Sequence, residues 1–223
     1  STAKRSQLKM VRDCEQLGAA AMCTGARESF VYQLDTLKDS VPEAVAMLAE
    51  TATAPKFLPW EVDAQASTLA AEVSAFADNH QALLQEMMHP AAYGASSPLG
   101  APFMAKPAAL STIDAGVLGE FVSKEFVPSK MVLAAAGYDH EALVSLAKKH
   151  FGGLPKGAAG TALAAPGKYV GGESRVSADG DLTHFALAFE GVGWKSDKLV
   201  ALCVLDTMMG GGASFSAGGP GKG

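Results

Sequence analysis

The last fourteen residues, Gly210-Gly-Gly-Ala-Ser-Phe-Ser-Ala-Gly-Gly-Pro-Gly-Lys-Gly223, are half glycine. Glycine accepts positive φ without strain but loses the most backbone entropy when fixed, so no packed helix or strand can be built from such a run. The tract therefore limits the folded part of the chain to 1–209 and separates 210–223 as a loop with Phe215 as its only large apolar contact. Backbone N–H and C=O groups bare of side chains suit a clamp on an extended peptide; composition alone equally allows a linker. A phosphate loop is excluded. Its G-x-x-x-x-G-K-[ST] pattern would need Gly at position 216, where Ser stands, and Ser or Thr after Lys222, where Gly223 stands.

The chain has 223 residues, 48% of them apolar, enough to bury a core and to exclude wholesale disorder. No apolar run reaches the ~18 residues that a membrane span needs. The net charge of −5 argues against nucleic acid as a partner, since binders of the phosphate backbone carry clustered basic surface. Cys14, Cys23 and Cys203 are odd in number and form no Cys-x-x-Cys pair, so neither a disulfide framework nor a cysteine zinc site is signalled. A helix start at one end and a glycine tract at the other give the expectation of a piece of a longer polypeptide, with any targeting peptide upstream.

Leu8, Val11 and Leu17 recur at helical spacing among Lys4, Arg5, Lys9 and Arg12, with Gly18 as the stop, which predicts an amphipathic helix. Small and β-forming residues predict strands over Ala19–Cys23 and Phe30–Leu37. Ser40 before Pro42 predicts a capped, alanine-rich helix to about Ala54. Further helices are expected over Glu61–Ala77 and Gln81–His89, the latter ended by Pro90. A loop runs from Tyr93 to Pro107. Ser111-x-x-Asp114 then opens a helix that ends before Pro128, Met131–Gly137 reads as a buried strand, and Asp139 caps a helix that ends at Gly152-Gly153. After a surface connection over 156–167, Tyr169–Val176 and Leu182–Phe189 read as a hairpin turning at Ala178-Asp-Gly-Asp181, and Asp197–Met209 as a last helix. This order predicts an α+β fold with helices on one face of a mainly antiparallel sheet.

Nothing in the residues signals a catalytic centre. His80, His89, His140, His150 and His184 form neither H-E-x-x-H nor H-x-x-E-H, and no G-x-S-x-G elbow occurs. Glu72 and Glu86 have the chemistry of acid/base groups, but carboxylates on solvated helices are more often surface charges. Their surroundings are more informative. From Lys56 to Lys106 no Lys or Arg intervenes, while Glu61, Asp63, Glu72, Asp78 and Glu86 are present. Such a segment attracts a basic peptide and speeds its encounter.

Several motifs, in order along nearly the whole chain, carry a family likeness. They are Ser1-Thr-x-x-Arg5-Ser, Leu84-Leu-Gln-Glu86-x-x-His89, Phe121-Val-x-x-x-Phe126-x-x-x-Lys130-Met-Val-Leu-Ala-Ala-x-Gly137, His184-Phe-Ala-Leu-Ala-Phe-Glu-Gly-Val-Gly-Trp194 and the glycine tract. The chain resembles the alpha-subunit branch of the M16 (pitrilysin-like) family, to which subunits of mitochondrial processing peptidase and core subunits of the cytochrome bc1 complex belong. The resemblance implies an M16-type α/β roll, of which this chain would be the N-terminal half, with 1–209 an incomplete domain and 210–223 the glycine-rich substrate-binding loop. It implies a subunit that is not catalytic by itself, recognises basic presequences and works with a beta subunit whose His-x-x-Glu-His holds zinc, at the mitochondrial matrix or the matrix face of the inner membrane. Substrate binding would fall on Gly210, Gly211, Gly212, Ser214, Phe215, Ser216, Gly218, Gly219, Pro220, Gly221, Lys222 and Gly223; Ala213 stands where the family tract often has another Gly. Glu72 matches the position of the family's distal zinc ligand but has no histidine partners here, so neither metal nor catalytic residues are expected in this chain. The alternative implied role is that of a structural core subunit of the bc1 complex.

Overall fold

A computed structural model of the protein describes residues 1–155, 167–177 and 180–209. Its elements are α1 (Gln7–Gln16), β1 (Ala20–Gly25), β2 (Phe30–Asp35), α2 (Val41–Thr53), α3 (Pro59–Ala77), α4 (His80–Tyr93), α5 (Pro107–Leu110), α6 (Ala115–Glu125), α7 (His140–Phe151) and α8 (Leu199–Met208), with single 3-10 turns at Lys38–Ser40 and Pro128–Lys130. The fold is α+β. β1 and β2 form an antiparallel ribbon in the register Ala20 opposite Asp35 to Gly25 opposite Phe30.

The core lies on α2. Ala44, Val45, Met47 and Ala49 are buried, together with Val127 from the segment after α6. Two of these five are alanines, so α7 and β2 can both approach the helix backbone closely. β2 is also held from its aromatic side: Phe30 and Tyr32 each lie 6.4 Å from the Phe126 ring, and Phe121 closes on Phe126 at the same distance. Burial beside Cys23 pushes the Tyr32 hydroxyl above its usual range.

The entry to α1 is fixed by charge. The Arg5 guanidinium donates to Asp13 at 2.7 Å and to the Glu50 carboxylate of α2. Lys9 reaches Asp13 at 3.0 Å, the Lys4 amide donates to Glu50 at 3.0 Å, and the buried Thr2 hydroxyl donates to Glu50 as well. The Arg5 bond, aided by Lys9, holds Asp13 below the usual carboxylate range. Burial alone would raise Glu50, but the Thr2, Lys4 and Arg5 donors outweigh it and leave Glu50 lowered.

The expected helix ends are largely present. Gly18 turns the chain after α1 at φ 59° and Asp139 accepts from the Ala142 amide at 2.9 Å; α4, expected from Gln81 with no cap named, starts at His80 and is capped by Asn79 accepting from Ala82. Four local expectations are corrected. Pro90 does not end α4 but lies inside it. Proline removes only the bond its own N–H would make to the Glu86 carbonyl, and the helix runs on until Gly94, at φ 80°, stops it. The cap of α6 is Asp114, accepting from Val117 at 2.8 Å, whereas Ser111 sits at the end of the short α5. Ser40 makes no side-chain cap to α2. Met131–Gly137 is neither buried nor a strand: Met131 is extended, but among the described residues no second backbone pairs with the segment, and Val132 is 94% exposed.

Likewise no strand pairing forms between 169–176 and 182–189 among the described residues; Ala178 and Asp179 of the expected turn lie outside them. The Tyr169 hydroxyl donates to the Ala188 carbonyl at 3.4 Å and links the two segments. The first segment instead docks on the end of α4, where the Val170 and Gly171 amides both donate to the Ala92 carbonyl at 2.8 and 3.3 Å. The contact requires glycine, because a Cβ at Gly172 would stand 2.6 Å from the Ala91 carbonyl oxygen.

Two outcomes follow. Gly172→Ala is expected to cost about 1–3 kcal/mol by overpacking against a backbone that cannot give way, whereas Gly153→Ala, with open space around it, is expected to leave the melting temperature near that of the parent. Arg5→Met is expected to destabilise on the order of 1–3 kcal/mol at neutral pH, by leaving the buried Glu50 carboxylate without its guanidinium. Because Asp13 and Glu50 are lowered on folding, their contribution is present above their ordinary values of 3.8 and 4.5 and drains as pH falls through the lower folded values. A melting-temperature profile against pH should therefore show a shallower acid limb in Arg5→Met than in the parent.

Candidate functional site

The acidic segment folds into α3 and α4. Along α3, Val62, Ala66, Leu69, Val73 and Phe76 recur at spacings of four and three as the half-buried stripe, and Asp63, Glu72 and Asp78 are exposed. Asp63 and Glu72 are nine residues apart, so at ~100° per residue they project from opposite sides of the helix. The carboxylates that cluster in sequence thus do not form one face. Two of them are already engaged: Glu61 accepts from the Ser1 hydroxyl, which holds it below the usual range, and Glu86 is taken by Arg27.

The Glu86 contact is the most developed polar arrangement outside the Arg5 network. Arg27 sits in the turn between β1 and β2, closed by the Ala26 amide on the Ser29 carbonyl at 2.8 Å. Its Nη2 lies 2.5 Å from Glu86 Oε2 and its Nη1 2.5 Å from the Ala101 carbonyl, while Cζ stands 5.9 Å over the Phe103 ring. The other carboxylate oxygen, Oε1, accepts from the Phe103 amide at 2.5 Å. A guanidinium is thereby held by a carboxylate, a carbonyl and an aromatic face, with the Arg27 and Glu86 side chains 15% and 19% exposed. Sequence reasoning did not find this pair, although the stretch without cations around Glu86 implies that its counter-charge comes from elsewhere in the chain.

Among the described residues no group of three or more His, Cys, Asp or Glu side chains converges as a metal site requires. Glu72 stands exposed on α3. His80, at the start of α4, meets His184 edge-on with ring centroids 5.4 Å apart, and His89 packs on Tyr93 at 6.2 Å with its Nδ1 buried and without a hydrogen-bond partner among the described residues. The first contact joins α4 to the segment after 180, and the second lies within α4 itself. The expected substrate-binding residues, Gly210 to Gly223, lie outside the described residues.

The family model described as Insulinase (Peptidase family M16) matches residues 1–105, and the one described as Peptidase M16 inactive domain matches residues 112–217. The chain belongs to peptidase family M16. Mitochondrial-processing peptidase subunit alpha of Solanum tuberosum is 44% identical over 225 residues, covering 100% of this chain and 44% of the relative. The human subunit alpha is 30% identical, covering 94% of this chain and 43% of its own length. Subunit beta of Bos taurus is also 30% identical, again over 94% of this chain and 43% of the relative. The chain thus spans less than half the length of these M16 relatives, and both kinds of subunit share its sequence pattern.

For Glu72, the exposed position predicts an ordinary surface carboxylate. Glu72→Gln is expected to change stability by no more than ~0.5 kcal/mol and to leave the metal content of the separately purified subunit unchanged, as read by thermal melting and elemental analysis.

Proposed function

We propose that the chain is part of the substrate-recognition subunit of a mitochondrial processing peptidase: it binds basic presequences for a zinc-bearing beta subunit to cleave and has no catalytic centre of its own. The single observation that supports this most is the alignment of the entire chain with an alpha subunit at 44% identity. Two features of the sequence agree with it. Presequences are amphipathic, Arg-rich and poor in acidic residues, and the exposed Asp63, Glu72 and Asp78 offer negative charge on more than one side of α3, which itself carries no Lys or Arg. The glycine tract supplies backbone groups that could pair with an extended peptide whatever its side chains, the requirement for a receptor of many different leaders.

In this role the chain acts in the mitochondrial matrix. Long-range attraction by the α3 carboxylates brings the leader in, close contacts with Gly210–Gly223 hold it, and the partner subunit supplies the metal and the activated water. Because the carboxylates are exposed, the attraction is screened over a Debye length of ~8 Å at physiological salt. A purely structural place in the cytochrome bc1 complex would not need a presequence-holding tract.

The test is deletion of residues 210–223 from the full-length subunit. Processing of a basic presequence by the reassembled peptidase is expected to fall by roughly tenfold or more, equivalent to ~1.4 kcal/mol of lost binding, while the heterodimer still forms by size-exclusion chromatography. An unchanged processing rate overturns the reading, and copurification of the subunit in a haem-containing assembly without processing activity assigns it to the respiratory complex.

A further inference from the structure

The Arg27 clasp is a complete binding site for an arginine side chain, occupied by the chain's own residue. We infer that the Glu86, Ala101 and Phe103 cradle is an exchangeable guanidinium subsite, in which an arginine of a bound peptide displaces Arg27. This rests on the presequence-binding role in naming the peptide, but the cradle's chemistry stands apart from it.

Three observations carry the inference. The partners are those a guanidinium takes from any source: a carboxylate at 2.5 Å, a backbone carbonyl at 2.5 Å and an aromatic face at 5.9 Å. The carboxylate does not depend on Arg27 alone for its orientation, because the Phe103 amide donates to Oε1 at 2.5 Å and keeps Glu86 aimed when the cation leaves. The cradle also has an open side, since Phe103 is 52% exposed.

The occupant is attached in a way that lets it leave. Every residue of β1 is exposed, and β2 is anchored through Phe30 and Tyr32 on Phe126, at and beyond the strand's tip end. Among the described residues the turn Ala26–Ser29 itself is tied down by its own Ala26–Ser29 bond and by the Arg27 side chain. Withdrawing Arg27 therefore frees the turn without breaking the ribbon's ladder, which ends at Gly25 and Phe30. Lysine could not replace arginine here, as an ammonium has no planar fork to span carboxylate and carbonyl together while stacking on the ring.

Competition sets the size of the effect. A residue tethered on the same chain works at an effective concentration in the millimolar range, so Arg27 keeps the cradle filled against free arginine and yields only to a peptide held by other contacts as well. Apparent affinity is the intrinsic one reduced by the fraction of cradles that are open.

The experiment uses the full-length subunit in its native assembly, with N-acetyl-arginine amide and an Arg-rich amphipathic peptide as probes, and a Lys-for-Arg peptide as control. Arg27→Ala is expected to tighten binding of the amide and of the Arg peptide by about tenfold, by removing the internal competitor. It should gain less for the Lys peptide, and Arg27→Ala combined with Glu86→Gln should lose the gain. In the unsubstituted protein, saturation with the Arg peptide should speed amide hydrogen exchange over residues 26–29, a readout that needs no variant to fold. No tightening of the amide by Arg27→Ala, or a turn that stays equally protected with peptide bound, overturns the inference. Uptake of the amide by Arg27→Ala in a protein that binds no presequence keeps the cradle and discards the presequence reading.

Discussion

The Arg5 guanidinium, shared between Asp13 on α1 and Glu50 on α2, is the contact on which the order of the first half of the chain depends. α1 is a short helix whose Leu8 and Val11 are largely exposed, so apolar burial alone does not fix it. What fixes it is an ion network in which Arg5, Asp13 and Glu50 each have more than one partner and are sheltered from water. Taking charges out of water is costly unless every donor and acceptor is matched. Here Thr2, Lys4 and Lys9 complete the matching, and the lowered carboxylates are the trace of it. With Arg5 tying α1 to Glu50 of α2, the ribbon that follows Gly18 packs β1 on α1 and β2 on α2.

How much of this could be read from the amino acids alone depends on the range over which each signal acts. Caps and glycine stops are local signals, and Asp139, Gly18 and the helix expected over Glu61–Ala77 stand where their patterns placed them. Pro90 shows the limit of a local rule, since a missing N–H removes one bond and a helix of 14 residues survives it. The strand readings of Met131–Gly137, Tyr169–Val176 and Leu182–Phe189 fail for another reason. β-forming composition declares that a stretch can be extended, but a strand exists only where a second backbone supplies its bonds. Gly171 and Gly172, read as part of a strand, serve instead to bring the chain against the Ala91 and Ala92 carbonyls.

The candidate site was the least legible part, because its decisive pairing is the most distant. Arg27 and Glu86 are separated by 59 residues, and neither carries a motif. The clue available in sequence was an imbalance: a long stretch with carboxylates and no cations has to find its counter-charge outside itself or leave it to solvent and ligands. The fold divides the five carboxylates between those two fates. Glu61 and Glu86 are bound to groups of the chain, while Asp63, Glu72 and Asp78 face solvent on different sides of α3.

That division changes what negative charge means for recognition. Exposed carboxylates on opposite flanks cannot grip one ligand together, and each is screened by salt, so their contribution is to encounter more than to specificity. Specificity for arginine requires a site that is partly dry, directional and aromatic, and Glu86 with Ala101 and Phe103 is the place among the described residues that meets all three conditions. In the proposed role a receptor for many leaders would benefit from this separation: general attraction on α3 and one demanding pocket at the ribbon's turn. An internal arginine in that pocket raises the threshold for occupation, so a lone surface arginine of an unrelated protein is refused and a ligand that makes several contacts at once is admitted.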